Sequence, residues 1–128
     1  MFSPVTIPFG AKMLFNTATI KPGVAFEDVE VALAEMCNVV KDTYGGDKGG
    51  FIAGQVYSFS GFLSAEGTLG DPGSAEKHIA IVTYWKSFEE HERSHADKAF
   101  KDKFAALAKL CVETRELGYD MLWQGALE

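Results

Sequence analysis

Cysteine is scarce in this chain, with only Cys37 and Cys111 in 128 residues. A disulfide-stapled secreted domain normally carries more. Both fall on helical apolar stripes, where a free thiol packs as a small hydrophobe. Positive charge is also short: twelve Lys and Arg against eighteen Asp and Glu leave a net charge of −6. No basic cluster offsets it, so neither nucleic acid nor an anionic membrane is an expected partner. No run approaches the ~18 apolar residues of a membrane span. The opening MFSPVTIPFG lacks a basic start and a long apolar core, so it reads as no signal peptide, and the cytoplasm is the default address. Histidine is limited to three residues, so a histidine-based site has little redundancy.

What is present is core. Hydrophobic residues make up 47% of the chain and ten are Phe. A chain of this length buries about two-thirds of its unfolded surface in one domain. Residues 1–10 hold two prolines and read as an N-terminal arm; 11–128 reads as one domain. Lys12–Ile20 is rich in β-formers and stops at Lys21-Pro22-Gly23. Apolar residues at Phe26, Val29, Leu33, Cys37, Val40 and Tyr44 mark one face of a helix over 25–44. The glycines around Asp47 and Lys48 end it. Phe51–Phe62 reads as a second strand, with Gly54 a candidate bulge. Leu63–Lys77 is a long polar loop, a lid candidate.

His78–Trp85 is the third strand. Ser87-Phe88-Glu89-Glu90 forms a capping box, in which the Ser87 hydroxyl and the Glu90 carboxylate each satisfy a backbone N–H. Asp97 is a second N-cap, so a short helix should break near Ala96 before a longer one. Phe100, Phe104, Leu107 and Cys111 form the buried stripe of that longer helix. Thr114–Leu127 is the last strand, with a bend expected at Gly118. The order βαββαβ is the ferredoxin-like α+β arrangement, an antiparallel sheet with helices on one face. The strands carry apolar residues on both faces, whereas a half-solvated sheet is polar on one. A homodimer packed sheet to sheet resolves this.

Within the second helical region lies His91-Glu92-Arg93-Ser94-His95. Two histidines at i and i+4 share a helix face, and the intervening Glu can serve a metal-bound water as general base. Glu113, Glu116 or Asp120 could supply a third ligand. Against a zinc hydrolase stand the charged Arg93 in the middle of the motif and the polarity of the helix. Both histidines fall on the stripe of Phe88 and point inward or along its margin. There they either pack as satisfied pocket-wall residues or move a proton near neutral pH. Asn16 is a polar, poor β-former among apolar neighbours. If it faces inward it needs a partner or a ligand. Trp85, Tyr57, Tyr84 and Phe104 are candidate pocket or interface aromatics.

The segment TYWKSFEEHERSHADKAFKDKFAAL resembles the Trp-x-Ser…Phe-x-x-x-Phe pattern of the antibiotic biosynthesis monooxygenase family and its stress-responsive α/β-barrel relatives. With the strand before Pro22-Gly23, the resemblance spans roughly residues 12–125. It implies a dimeric α/β barrel with an apolar pocket between helices and sheet. It implies oxidation of small aromatic or polyketide-like molecules with no cofactor, neither metal nor flavin. The haem-degrading branch of that family uses an inward Asn on strand 1, matched in place by Asn16. It also uses a Trp and then a His on the second helical region, and those positions hold Ser94 and Phe104 here, which argues against haem chemistry. A frequent family His aligns with Ser94, leaving His95 one position off. The expected function is a cofactor-independent monooxygenase-like protein with Asn16, His91 and His95 as catalytic residues and Trp85, Tyr57, Tyr84 and Phe104 lining the pocket. The alternatives are a non-catalytic ligand-binding or stress-responsive homodimer, and a zinc hydrolase using HERSH.

Overall fold

The structure, a computed structural model, describes residues 2–67 and 77–126. Its elements are β1 (Lys12–Ile20), α1 (Phe26–Tyr44), a 3-10 turn (Gly46–Lys48), β2 (Phe51–Ser58), β3 (His78–Trp85), α2 (Phe88–His95), α3 (Lys98–Ala108) and β4 (Cys111–Asp120). The four strands form one antiparallel sheet in the order β2-β3-β1-β4. This is the expected ferredoxin-like arrangement, with the helical pattern after β3 split into two. Among the described residues no helix is long and apolar enough to cross a membrane.

Strand parity assigns the two faces of the sheet. Leu14, Ala18 and Ile20 of β1 are buried, as are Ile79, Ile81 and Trp85 of β3. They meet Val29, Ala32, Leu33, Met36 and Val40 of α1, together with Leu107 of α3, in two apolar clusters. Asn16 shares that parity and sits between Leu14 of one cluster and Ala18 of the other. The alternate residues point to the opposite face. Met13, Phe15, Val82, Tyr84, Leu117 and Tyr119 stand there, by their pairing with one another across β3, β1 and β4.

Three element boundaries differ from the sequence pattern, for one physical reason: a strand ends where its partner ends. β2 stops at Ser58, opposite Ile79, rather than running to Phe62. β4 starts at Cys111, opposite Ile20, and stops at Asp120, opposite Lys12, because the chain before Lys12 leaves the sheet in a turn, the Ala11 N–H donating to the Pro8 carbonyl at 3.2 Å. Cys111 therefore lies on β4 and not on α3, and is still buried. The register shift in β2 falls between Phe51 and Ala53, ahead of Gly54. Gly118 stays within the strand. Its missing side chain makes room for Phe88, whose ring would stand 2.8 Å from a Cβ there.

The helix starts follow their signals. The Glu90 backbone N–H donates to Ser87 Oγ at 3.2 Å, and the Ser87 hydroxyl donates in turn to Glu90 Oε1 at 3.0 Å. The carboxylate thus accepts from the Ser87 hydroxyl and not from the backbone N–H expected of a capping box. Asp97 caps α3 through the Ala99 N–H at 3.2 Å. The lid expected of Leu63–Lys77 falls largely outside the described residues.

Candidate functional site

On the helix-facing side, β1 and β4 place Asn16 directly opposite Glu116. α2 lies above them and turns His91 and His95 toward that pair. The Glu116 carboxylate bridges the two rings. Its Oε2 lies 3.2 Å from His91 Nε2, and its Oε1 lies 3.7 Å from His95 Nδ1. The first is a hydrogen bond. The second is within ion-pair reach but too long for a hydrogen bond. Asn16 Nδ2 donates to the Ile81 carbonyl at 3.3 Å, and the nearby amide favours the charged form of the Glu116 carboxyl.

The three groups differ in access. His91 is 2% exposed, whereas the side chains of His95 and Glu116 keep 29% and 30% of their surface open. Burial pushes the His95 ring below its ordinary pKa, against the opposing pull of the Glu116 charge. Burial pushes the Glu116 carboxyl up, but the His91 hydrogen bond and charge, the nearby His95 and the Asn16 amide outweigh it. The carboxyl is held below its ordinary range.

His91 has a second carboxylate at its other nitrogen. Nδ1 lies 3.3 Å from Glu92 Oε1. The distance suits an ion pair, but Nδ1 makes no aligned hydrogen bond and is buried without one. A neutral imidazole has a single N–H. It can serve only one of these two carboxylates at a time.

The aromatic surroundings form a continuous row. The rings of Trp85 and His91 are 5.2 Å apart, His91 and His95 4.1 Å, His95 and Phe100 4.4 Å, and Phe100 and Phe104 5.9 Å. Trp85 is fixed by a hydrogen bond from Nε1 to Thr83 Oγ1 at 2.9 Å. Ser94 is buried and turns its hydroxyl to the His91 carbonyl at 2.6 Å.

Asn16, His91, His95, Trp85 and Phe104 are therefore gathered on one side of the sheet. Tyr57 and Tyr84 are not among them. Tyr57 pairs with Ala80 and Tyr84 with Met13, which places both on the opposite face. Glu116, weighed in the sequence only as one of three possible third ligands, is the residue that ties the cluster together. Of those three, Glu113 stands on the other face and Asp120 is bound to Lys12 at 2.8 Å. A separate cleft of about 420 Å³ lies at the far end of β1, lined by Ile20, Lys21, Pro22, Gly23, Val24, Lys77 and Val112. It shares no residue with the histidine cluster.

No family model and no curated protein sequence matches the chain. Solved structures do. The cofactor-independent oxygenase SnoaB from Streptomyces nogalater is 15% identical with a TM-score of 0.63, over 93% of this chain and 99% of that one. A putative antibiotic biosynthesis monooxygenase from Caulobacter crescentus is 13% identical with a TM-score of 0.64, over 90% and 92%. A hydroxynitrile lyase from Passiflora edulis is 10% identical with a TM-score of 0.66, over 93% and 100%. Further matches are described as dimeric ferredoxin-like proteins of unknown function. Identities this low speak for architecture and not for reaction. The chain has the ferredoxin-like fold of antibiotic biosynthesis monooxygenase-like proteins.

Proposed function

We propose that the protein is a cofactor-independent monooxygenase-like enzyme acting on a small aromatic or polyketide-like molecule. The observation that carries this reading is the Glu116 carboxylate held between His91 and His95, with Asn16 beside it, under a row of aromatic rings. In this reading His95, the more accessible ring, takes a proton from an activated carbon of the substrate. Glu116 stabilises the imidazolium that results, and buried His91 holds Glu116 in place. Asn16 orients the substrate oxygen, and Trp85 and Phe104 bound the apolar surroundings. The carbanion reduces oxygen and forms a carbon–oxygen bond. Loss of water from the resulting peroxide, with the proton returned by His95, leaves a carbonyl. The balance is one methylene and one oxygen molecule giving one carbonyl and one water.

We assign the opposite sheet face to a second copy of the chain. Tyr57, Leu117 and Tyr119 are 53%, 52% and 45% exposed there, and Phe15 packs edge-on to Tyr119 at 6.5 Å. An apolar patch of this kind on a sheet face marks an interface, and similar folds are described as dimeric. Tyr57 and Tyr84 then serve the interface.

Oxygen uptake by metal-chelated protein, measured over a panel of small aromatic ketones and phenols, tests the enzyme reading. Wild type should consume oxygen, and Asn16→Ala and His95→Ala should abolish uptake while remaining folded. Unchanged turnover in both variants would refute it. Ligand-dependent stabilisation with no uptake would favour a non-catalytic binding protein.

A further inference from the structure

The geometry points to a divalent transition-metal site formed by His91, His95 and Glu116, one that takes a zinc-like cation on the open side of the cluster. One potential ligand atom from each of these residues lies within 4.8 Å of the others. Around a tetrahedral metal with bonds of about 2.1 Å, ligand atoms stand about 3.4 Å apart. His91 Nε2 and Glu116 Oε2, at 3.2 Å, already meet that spacing. His95 needs only a turn of a partly exposed side chain to complete it.

The surroundings are those of a metal site. Metal-bound imidazoles give their second nitrogen to a carboxylate or carbonyl, which fixes the tautomer. His91 Nδ1 is buried without a hydrogen bond and faces Glu92 Oε1 at 3.3 Å. If Nδ1 holds the proton against Glu92, the Nε2 lone pair faces a carboxylate oxygen, an arrangement that a cation between them relieves. Glu92, 3.3 Å from Nδ1, is the carboxylate placed to take that proton once the ring turns to align the bond. Asn16 stands directly opposite Glu116 across β1 and β4, beside the carboxylate. Two imidazoles and one carboxylate, with one side open to solvent, leave a coordination position for water.

This inference concerns the site of the proposed chemistry but does not rest on that reading. A bound cation would take the lone pair that proton transfer needs, so occupancy would inhibit metal-free turnover. The test reads metal, not activity. Chelator-treated protein is titrated with zinc sulfate, and bound zinc is measured by native mass spectrometry alongside the thermal unfolding midpoint. Wild type should bind one zinc per chain with a rise in midpoint. Loss of supporting contacts alone weakens metal sites by about tenfold to a hundredfold, so Glu116→Gln and His95→Gln should each weaken binding at least tenfold. His78→Gln, on the other sheet face, should bind as wild type does. Absence of zinc from the wild type, or equal binding by Glu116→Gln and His95→Gln, would overturn the site. Circular dichroism of each variant separates lost ligation from lost folding.

Discussion

Glu116 and His95 make the fold acid-sensitive, and the signs can be worked out. His95 is held below its ordinary value of 6.5. Below that pH the unfolded chain takes up a proton that the folded chain resists. The stability tied to the neutral ring is therefore complete above about pH 6.5 and declines as pH falls below it. Glu116 is held below its ordinary value of 4.5. Its contribution is present above about pH 4.5 and is lost as pH falls through the folded value. In metal-free protein the urea midpoint should fall from about pH 7 to pH 5, and His95→Gln should flatten that fall. A wild-type midpoint that is level or rises on acidification would contradict the placement of His95. His91→Ala removes a buried ring and leaves Glu116 without its hydrogen-bond partner, which should cost about 2 kcal/mol, read by urea unfolding. Part of this site was legible in the sequence. His91 and His95 share a helix face by spacing alone, and Asn16 stands out as a polar residue in an apolar strand. Glu116 was not singled out, because its nearness to Asn16 depends on the register between β1 and β4, which are about a hundred residues apart. The face of Tyr57 was hidden for a similar reason, since it depends on the register shift near Ala53.

At the scale of elements, helix starts are written locally and strand ends are not. Ser87 and Asp97 each offer an oxygen to a backbone N–H two or three residues on, so the break between α2 and α3 can be read from short-range chemistry. Ser87→Ala should cost about 1 kcal/mol in chemical denaturation, and an unchanged stability would show that the cap is satisfied otherwise. β2 and β4 stop where β3 and β1 run out, which no local pattern records. Gly118 expresses packing between elements: it lets Phe88 of α2 lie close over β4. Gly118→Ala should destabilise the fold by about 1–3 kcal/mol through overpacking. Adding Phe88→Leu should recover most of the loss, because the two positions are in direct contact. Additive losses in that double-mutant cycle would mean that the two do not press on each other.

For the whole molecule, the alternation of apolar residues on both sheet faces makes a second layer an expectation of the sequence itself. The helices cover one face, with Asn16 and the histidines beneath them. The other carries Phe15, Tyr57, Leu117 and Tyr119. Light scattering should therefore give twice the chain mass, and Leu117→Lys with Tyr57→Lys should halve it. This division of labour, chemistry under the helices and association on the open face, is the central claim. Oxygen uptake by the metal-chelated wild type, by Glu116→Gln and by Tyr57→Phe, on one shared substrate, tests it most directly. The account predicts uptake by the wild type and Tyr57→Phe and none by Glu116→Gln. Retained uptake in Glu116→Gln with loss in Tyr57→Phe would put the chemistry on the other face of the sheet and contradict it.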